Sequence, residues 1–201
     1  LSGFNVKLDW ERYYPYGSFA SYIIGYAKKI DGEIVGEMGI ESYYDEELKG
    51  IKGKISKIAD GKGGGLISEG EDYTPAVDGK DLVLSINMSA QAIVEKYLKQ
   101  ACIDNECTDG GNIIVMNPKT GDIIAMATYP DYNLNDPYEP NTEELKQKWD
   151  SLTSAEKNEA RQKMWRNRAV EDSYEPGSTF KLLTASAALE EGITTTDKAG
   201  E

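Results

Sequence analysis

The sequence predicts an α+β chain in two parts, and three observations carry that prediction. Residues 1–80 are rich in Gly, Tyr and charge and break into short alternating runs, the composition of a β-rich domain. Residues 81–201 instead alternate strand-like segments with apolar residues at helical spacing, the pattern of a mixed domain. Between them Thr74, Pro75, Asp78 and Gly79 mark a turn, which puts the boundary near residue 80. At 201 residues the chain is long enough to bury a sizeable core, in one large domain or two small ones.

Each element follows from its own pattern. Residues 51–58 alternate as a strand does, whereas residues 36–48 place Ile40, Tyr44 and Leu48 on one helical face with Gly50 as the stop. Residues 61–65 end in consecutive glycines and read as a flexible turn. A strand is expected over 81–87, then a helix in which Ile93, Val94, Tyr97, Leu98 and Ala101 recur at helical spacing, closed by Gly110 and Gly111. The apolar runs 112–116 and 122–129, joined through Asn117, Pro118, Lys119, Thr120 and Gly121, are a hairpin signal. Residues 130–142 carry the prolines and asparagines of a long loop. Two polar helices follow, the second opening at Thr153 with Glu156 placed for a capping box. An apolar helix over 178–191, stopped by Gly192, completes the series, and no internal repeat is visible.

Charge and composition exclude several functions. With 35 acidic against 22 basic residues the net charge is −13, which repels phosphate backbones and anionic lipid headgroups, so nucleic acid is not an expected partner. No apolar run approaches the roughly 18–20 residues of a membrane helix. The richest stretch, residues 19–27, is interrupted by Ser21 and Gly25, so membrane contact is expected only through an anchor outside these residues. The chain has no histidine, so neither a Ser-His-Asp nor a Cys-His arrangement can be assembled. With two thiols and no imidazole, neither a metal site nor a cofactor is expected. Cys102 and Cys107 fall at the end of a predicted helix, and the sequence leaves open whether they are bridged or free.

The sharpest chemical feature runs from Tyr174 through Glu175, Pro176, Gly177, Ser178, Thr179 and Phe180 to Lys181. Proline and glycine ahead of a helix fix a tight approach and put Ser178 in the first turn, where backbone N–H groups are unpaired and suit a developing oxyanion. Lys181 lies three residues on, so its amine shares a helical face with the Ser178 hydroxyl. A free lysine titrates near ~10.4, so it acts as a base only if burial or a nearby cation favours the neutral amine, and the apolar helix is expected to bury its stem. The bare Ser-x-x-Lys spacing is weak evidence, expected about once per ~200 residues by chance. Ser154 and Lys157 share it within a solvated helix start, where a capping role wins. For Ser178 spacing alone leaves an ordinary helix cap as an equal reading.

Context distinguishes the two. Residues 167–189, with Arg168, Ala169, Val170 and the Tyr174-to-Lys181 run, resemble the nucleophile segment of penicillin-binding transpeptidases. Residues 81–91 are similar to the strand and helix that open that family's transpeptidase domain, and 117–130 to the hairpin after it. Upstream, Arg12, Tyr14, Pro15, Gly17, Ile24, Gly25 and Tyr26 resemble the first motif of the class B pedestal. Gly36, Gly39, Ile40, Glu41, Tyr44, Leu48 and Gly50 resemble its second and third. The resemblance, to class B penicillin-binding proteins, covers nearly the whole chain. It implies a dimerisation-type pedestal over 1–80 and, over 81–201, the first part of a transpeptidase domain with a serine β-lactamase-like fold.

What the family does is then an expectation for these positions. Ser178 would form an acyl-enzyme with the D-Ala-D-Ala end of peptidoglycan stem peptides, Lys181 would serve as base, and the Ser178 N–H would form half of the oxyanion hole. β-Lactams would acylate the same serine, other cell-wall synthesis proteins would be partners, and the location would be the extracytoplasmic face of the cell membrane. The Ser-x-Asn and Lys-Thr-Gly motifs that such an enzyme needs do not follow Ser178 within these residues, so this stretch alone is expected to be inactive. Ser85, Ile86, Asn87 and Lys119, Thr120, Gly121 match those motifs in the wrong order and are assigned no catalysis. Glu41 is expected to be structural, paired with a cation such as Arg12, and the many tyrosines to pack a glycine-rich domain. Two other functions compete: a noncatalytic interaction module of the cell-wall machinery, and a β-lactam sensor or hydrolase, which would not need the pedestal motifs.

Overall fold

The computed structural model describes residues 10–56 and 72–197. The glycine turn expected at 61–65, and the end of the strand expected over 51–58, lie outside them. Two compact units are formed, one up to Val170 and one from Glu171 onward.

The first unit opens with a short helix α1 (Ser21–Ile24) and a hairpin of β1 (Ala27–Ile30) and β2 (Glu33–Gly36), paired Ala27 to Gly36. The single helix expected over 36–48 is instead the end of β2 followed by α2 (Gly39–Tyr43) and α3 (Asp45–Lys49). Close backbone approach explains the break. A Cβ at Gly36 would stand 1.9 Å from the Glu41 carbonyl oxygen, and Gly39 adopts φ +58, which disfavours every other residue. Two short strands, β3 (Lys54–Ser56) and β4 (Asp72–Thr74), pair antiparallel.

Residues 81–87 do not form the expected strand. They run along the sheet without pairing as one, held where Asn87 N–H donates to the Ile124 carbonyl at 2.9 Å and Ser85 Oγ to the Ile123 carbonyl at 2.8 Å. The long helix α4 (Met88–Asp104), present where helical spacing predicted one, then packs through Leu98 and Cys102 on the hairpin of β5 (Gly111–Met116) and β6 (Ile123–Tyr129), while Ile93 and Tyr97 stay exposed. After the loop come α5 (Glu143–Trp149), α6 (Ser154–Trp165) and a turn of helix α7 (Arg168–Glu171). The capping box on α6 is formed on both sides: Glu156 N–H donates to Thr153 Oγ1, and Thr153 N–H to Glu156 Oε2 at 2.7 Å. Thr153→Ala is expected to cost about 1 kcal/mol, read as a lower urea midpoint at unchanged helix content.

The core has two centres. Tyr14, Tyr26, Tyr132, Leu134 and Met164 form one, with Tyr26 packed edge-on to Tyr138 and tilted against Trp165 at ring separations of 5.8 and 5.3 Å. Tyrosine packing is therefore found where composition suggested it, although Tyr13 and Tyr16 stay exposed. Leu98, Cys102 and Ala127 form the other centre, between α4 and the β5–β6 hairpin. The two thiols left open by the sequence are both unbridged, Cys102 buried and Cys107 exposed.

Polar groups tie these parts together. Glu41 accepts from Arg12 at 2.7 Å and from the Tyr14 hydroxyl at 3.3 Å, the structural pairing expected of it. Burial and the Glu41 charge push the Tyr14 phenol up to about 12, so it stays protonated and accepts the Ala27 N–H at 2.8 Å. Gln91, fully buried, has its amide oxygen accept from Met126 N–H and its amide nitrogen donate to the Met126 carbonyl, both at 2.8 Å. That same nitrogen donates to Glu95 at 2.7 Å, and Glu95 accepts the Ala20 N–H at 2.7 Å.

Burial, with a smaller push from Asp131, raises the Glu95 carboxyl above its ordinary 4.5, outweighing its two donors. The folded protein thus holds this proton more tightly than the unfolded chain, so the group opposes folding increasingly as pH rises through the range above 4.5. Glu95→Gln keeps both accepted bonds and removes the charge. It is expected to raise the urea midpoint at neutral pH, with the gain fading as pH falls below 4.5; an equal gain at every pH would contradict the assignment.

Candidate active site

The second unit carries the segment singled out by its chemistry. Pro176 is held at φ −70 and Gly177 at φ +56, a left-handed conformation that a side chain would strain, so the proline-glycine pair sets the approach. A 3₁₀ turn, Gly177–Phe180, follows and runs straight into α8 (Lys181–Glu190). Thr179 closes the turn, its N–H and its Oγ1 both donating to the Pro176 carbonyl at 3.2 and 2.6 Å. The helix expected over 178–191 thus has a tighter first turn than an α-helix.

That tightening matters for the pair. A 3₁₀ turn brings residues i and i+3 into line, and Ser178 and Lys181 are so related, with Lys181 N–H donating to the Ser178 carbonyl. The Ser178 N–H has no hydrogen-bond partner among the described residues, as the first turn of a helix requires. Nor, among them, does the Ser178 hydroxyl or the Lys181 amine. Ser178 is not acting as a side-chain cap: none of the helix N–H groups bonds to its Oγ.

One expectation is corrected. The apolar helix was predicted to bury the lysine stem, yet Ser178 and Lys181 are exposed, as are Leu182 and Leu183 at 74% and 62%. An apolar pattern states what a face prefers to contact; burial needs a surface to contact. The far end of α8 is regular: Gly192, at φ +67, donates to the Leu189 carbonyl and Ile193 to that of Ala188, a Schellman stop at the predicted glycine.

The look-alike motifs have structural roles. Asn87 caps α4 by accepting the Ala90 N–H at 3.0 Å, and Ser85 bonds the Ile123 carbonyl. Thr120 Oγ1 donates to Asp122 at 2.7 Å inside the hairpin turn, where Gly121 takes φ +79. Lys157, the partner in the second Ser-x-x-Lys, lies over the Trp149 ring at 5.7 Å on a capped helix. Among the described residues no cluster of ligating side chains could hold a metal ion, and no helix is long and apolar enough to cross a membrane. Sequence reasoning passed over Gln91 and Glu95; a polar pair four apart on a helix otherwise packed by apolar residues was the available signal.

Comparison with known proteins bears on the same residues. Residues 1–84 match the penicillin-binding protein dimerisation domain, and 111–199 the penicillin-binding protein transpeptidase domain. Stage V sporulation protein D of Bacillus subtilis is 39% identical over 191 residues, covering 95% of this chain and 26% of that protein. Peptidoglycan D,D-transpeptidase FtsI of Buchnera aphidicola subsp. Schizaphis graminum is 35% identical over 193 residues, covering 96% and 29%. The crystal structure of penicillin-binding protein 2X from Streptococcus thermophilus superposes with a TM-score of 0.62 at 28% identity, over 92% of this chain and 25% of that one. The chain spans about a quarter to a third of these proteins. Two domain matches in the order that the motifs require, on an α+β fold shared with a solved relative, mean that this chain belongs to the class B penicillin-binding proteins, with their dimerisation domain followed by part of their transpeptidase domain.

Proposed function

We propose that the whole protein is a peptidoglycan D,D-transpeptidase in which Ser178 is the acyl-accepting nucleophile and Lys181 its base. The observation that carries this reading is the 3₁₀ turn that lines up Ser178 with Lys181 and leaves the Ser178 N–H unpartnered, within the stretch matching the transpeptidase domain. In the reaction, Ser178 Oγ attacks the carbonyl carbon of the penultimate D-Ala while the lysine amine takes its proton. The oxyanion gathers on the Ser178 N–H, and the terminal D-Ala leaves as an amine after receiving a proton. A second stem peptide's amine then takes the acyl group and frees the serine. Strained lactams would be attacked in the same way but leave the serine blocked.

The pedestal boundary near residue 80, the extracytoplasmic face of the cell membrane as location, an anchor elsewhere in the protein, and docking to other cell-wall synthesis proteins belong to this same proposal. A domain matching the dimerisation family, packed through Tyr14 and Tyr26 against Tyr132, Leu134 and Met164, supports it.

The test is covalent labelling of the full-length protein with a fluorescent penicillin, followed by proteolysis and mass mapping. A stable adduct on the peptide holding Ser178 is the expected result. Rapid release of the label would point to a hydrolase, and absence of any label would leave a noncatalytic module.

A further inference from the structure

The C-terminus of α4 ends in a Schellman turn whose two characteristic side chains are both cysteines. Glu106 takes the left-handed position at φ +50, its N–H donates to the Ile103 carbonyl at 3.2 Å, and the Cys107 N–H donates to the Cys102 carbonyl at 2.9 Å. In this motif the side chains of the residues joined by the outer bond meet, usually as an apolar contact. Here both positions are cysteines, and the Cys107 thiol is a neighbour of the Cys102 thiol. The left-handed position is normally filled by glycine, so Glu106 at that place bears a backbone cost.

The two thiols differ in environment. Cys102 packs with Leu98 and Ala127 in the core between α4 and the hairpin, and a Cβ at Gly111 would come within 3.1 Å of its sulfur. Burial first, and the neighbouring Cys107 thiol second, hold the Cys102 thiol above its usual range; the exposed Cys107 is free to meet a reagent.

We propose that Cys102 and Cys107 are a reversible dithiol that closes to an intramolecular disulfide, staples the end of α4 beneath β5, and is oxidised by a disulfide-bearing reagent entering at Cys107. Cys107 gives up its proton and attacks one sulfur of the reagent's disulfide, expelling the other sulfur as a thiolate. Cys102 then gives up its proton and attacks Cys107 Sγ, expelling the second reagent sulfur. The two cysteine protons end on the two expelled sulfurs, and the two electrons lost by the cysteines reduce the reagent. The inference does not depend on the role given to Ser178, because penicillin labelling and thiol state are separate readouts.

The purified chain is equilibrated in graded mixtures of reduced and oxidised glutathione, acid-quenched, unfolded, alkylated with N-ethylmaleimide and weighed intact. Under oxidising mixtures the expected product is two hydrogens lighter than the reduced chain and carries no adduct; under reducing mixtures it carries two adducts. The oxidised chain should also melt several degrees above the reduced one, since the cross-link restricts the unfolded state, while Cys107→Ser melts at the same temperature in both mixtures. Two adducts across the whole series, or glutathione retained on Cys107 without closure, would overturn the proposal.

Discussion

Ser178→Ala in the full-length protein is expected to abolish covalent labelling by penicillin completely, with the circular dichroism spectrum unchanged. The spectral control rests on Ser178 Oγ bonding nothing among the described residues, so under the proposed role the substitution removes a nucleophile and no hydrogen bond of the fold. Lys181→Met tests the second half of the pair. It keeps the length of the stem and deletes the amine, and if Lys181 is the base proposed above, its loss is expected to slow acylation by roughly 10²–10⁴-fold while leaving the serine in place. Labelling that survives Ser178→Ala would place the nucleophile elsewhere.

Gln91→Met is the largest stability loss expected in the first unit. The side chain is fully buried, and its amide satisfies both the N–H and the carbonyl of Met126 in β6. Methionine fills similar space but satisfies neither, and each buried unpaired backbone group costs ~1–3 kcal/mol, about 2–6 kcal/mol together. Glu95 also loses one of its donors, leaving the Ala20 N–H to hold it. At an m-value of roughly 2 kcal/mol/M this is a fall of about 1–3 M in urea midpoint, a large part of the ~5–15 kcal/mol a domain possesses. A change below ~1 kcal/mol would mean that β6 pairs adequately without the amide.

Much of the architecture was legible residue by residue. The α4 spacing, the β5–β6 hairpin, the Thr153 capping box and the Gly192 stop each rest on signals within a few residues of one another, and all are found. The errors share a cause. The helix over 36–48 starts only at Gly39 because Gly36 and Gly39 lie against the backbone of Glu41 and of Ile23 and Gly25, and 81–87 is tied to β6 through Ser85 and Asn87 without forming a ladder. The candidate site divides in the same way: the helix-entry position of Ser178 and Lys181 and the pairing of Glu41 with Arg12 were readable, whereas the Gln91–Glu95 linkage and the turn that joins Cys107 to Cys102 were not.

By itself the sequence determined the periodic elements and the family to which the chain belongs, and it singled out Ser178 and Lys181 as the pair to test, because helical period, capping chemistry and motif order are properties of neighbouring residues. Tertiary structure alone decided that Tyr14 and Tyr26 join Tyr132 and Met164 in one core, that Gln91 pairs with Met126 across 35 residues, and that α8 stands exposed. Burial and long-range pairing depend on which surfaces meet, and that is settled only when the whole chain closes on itself.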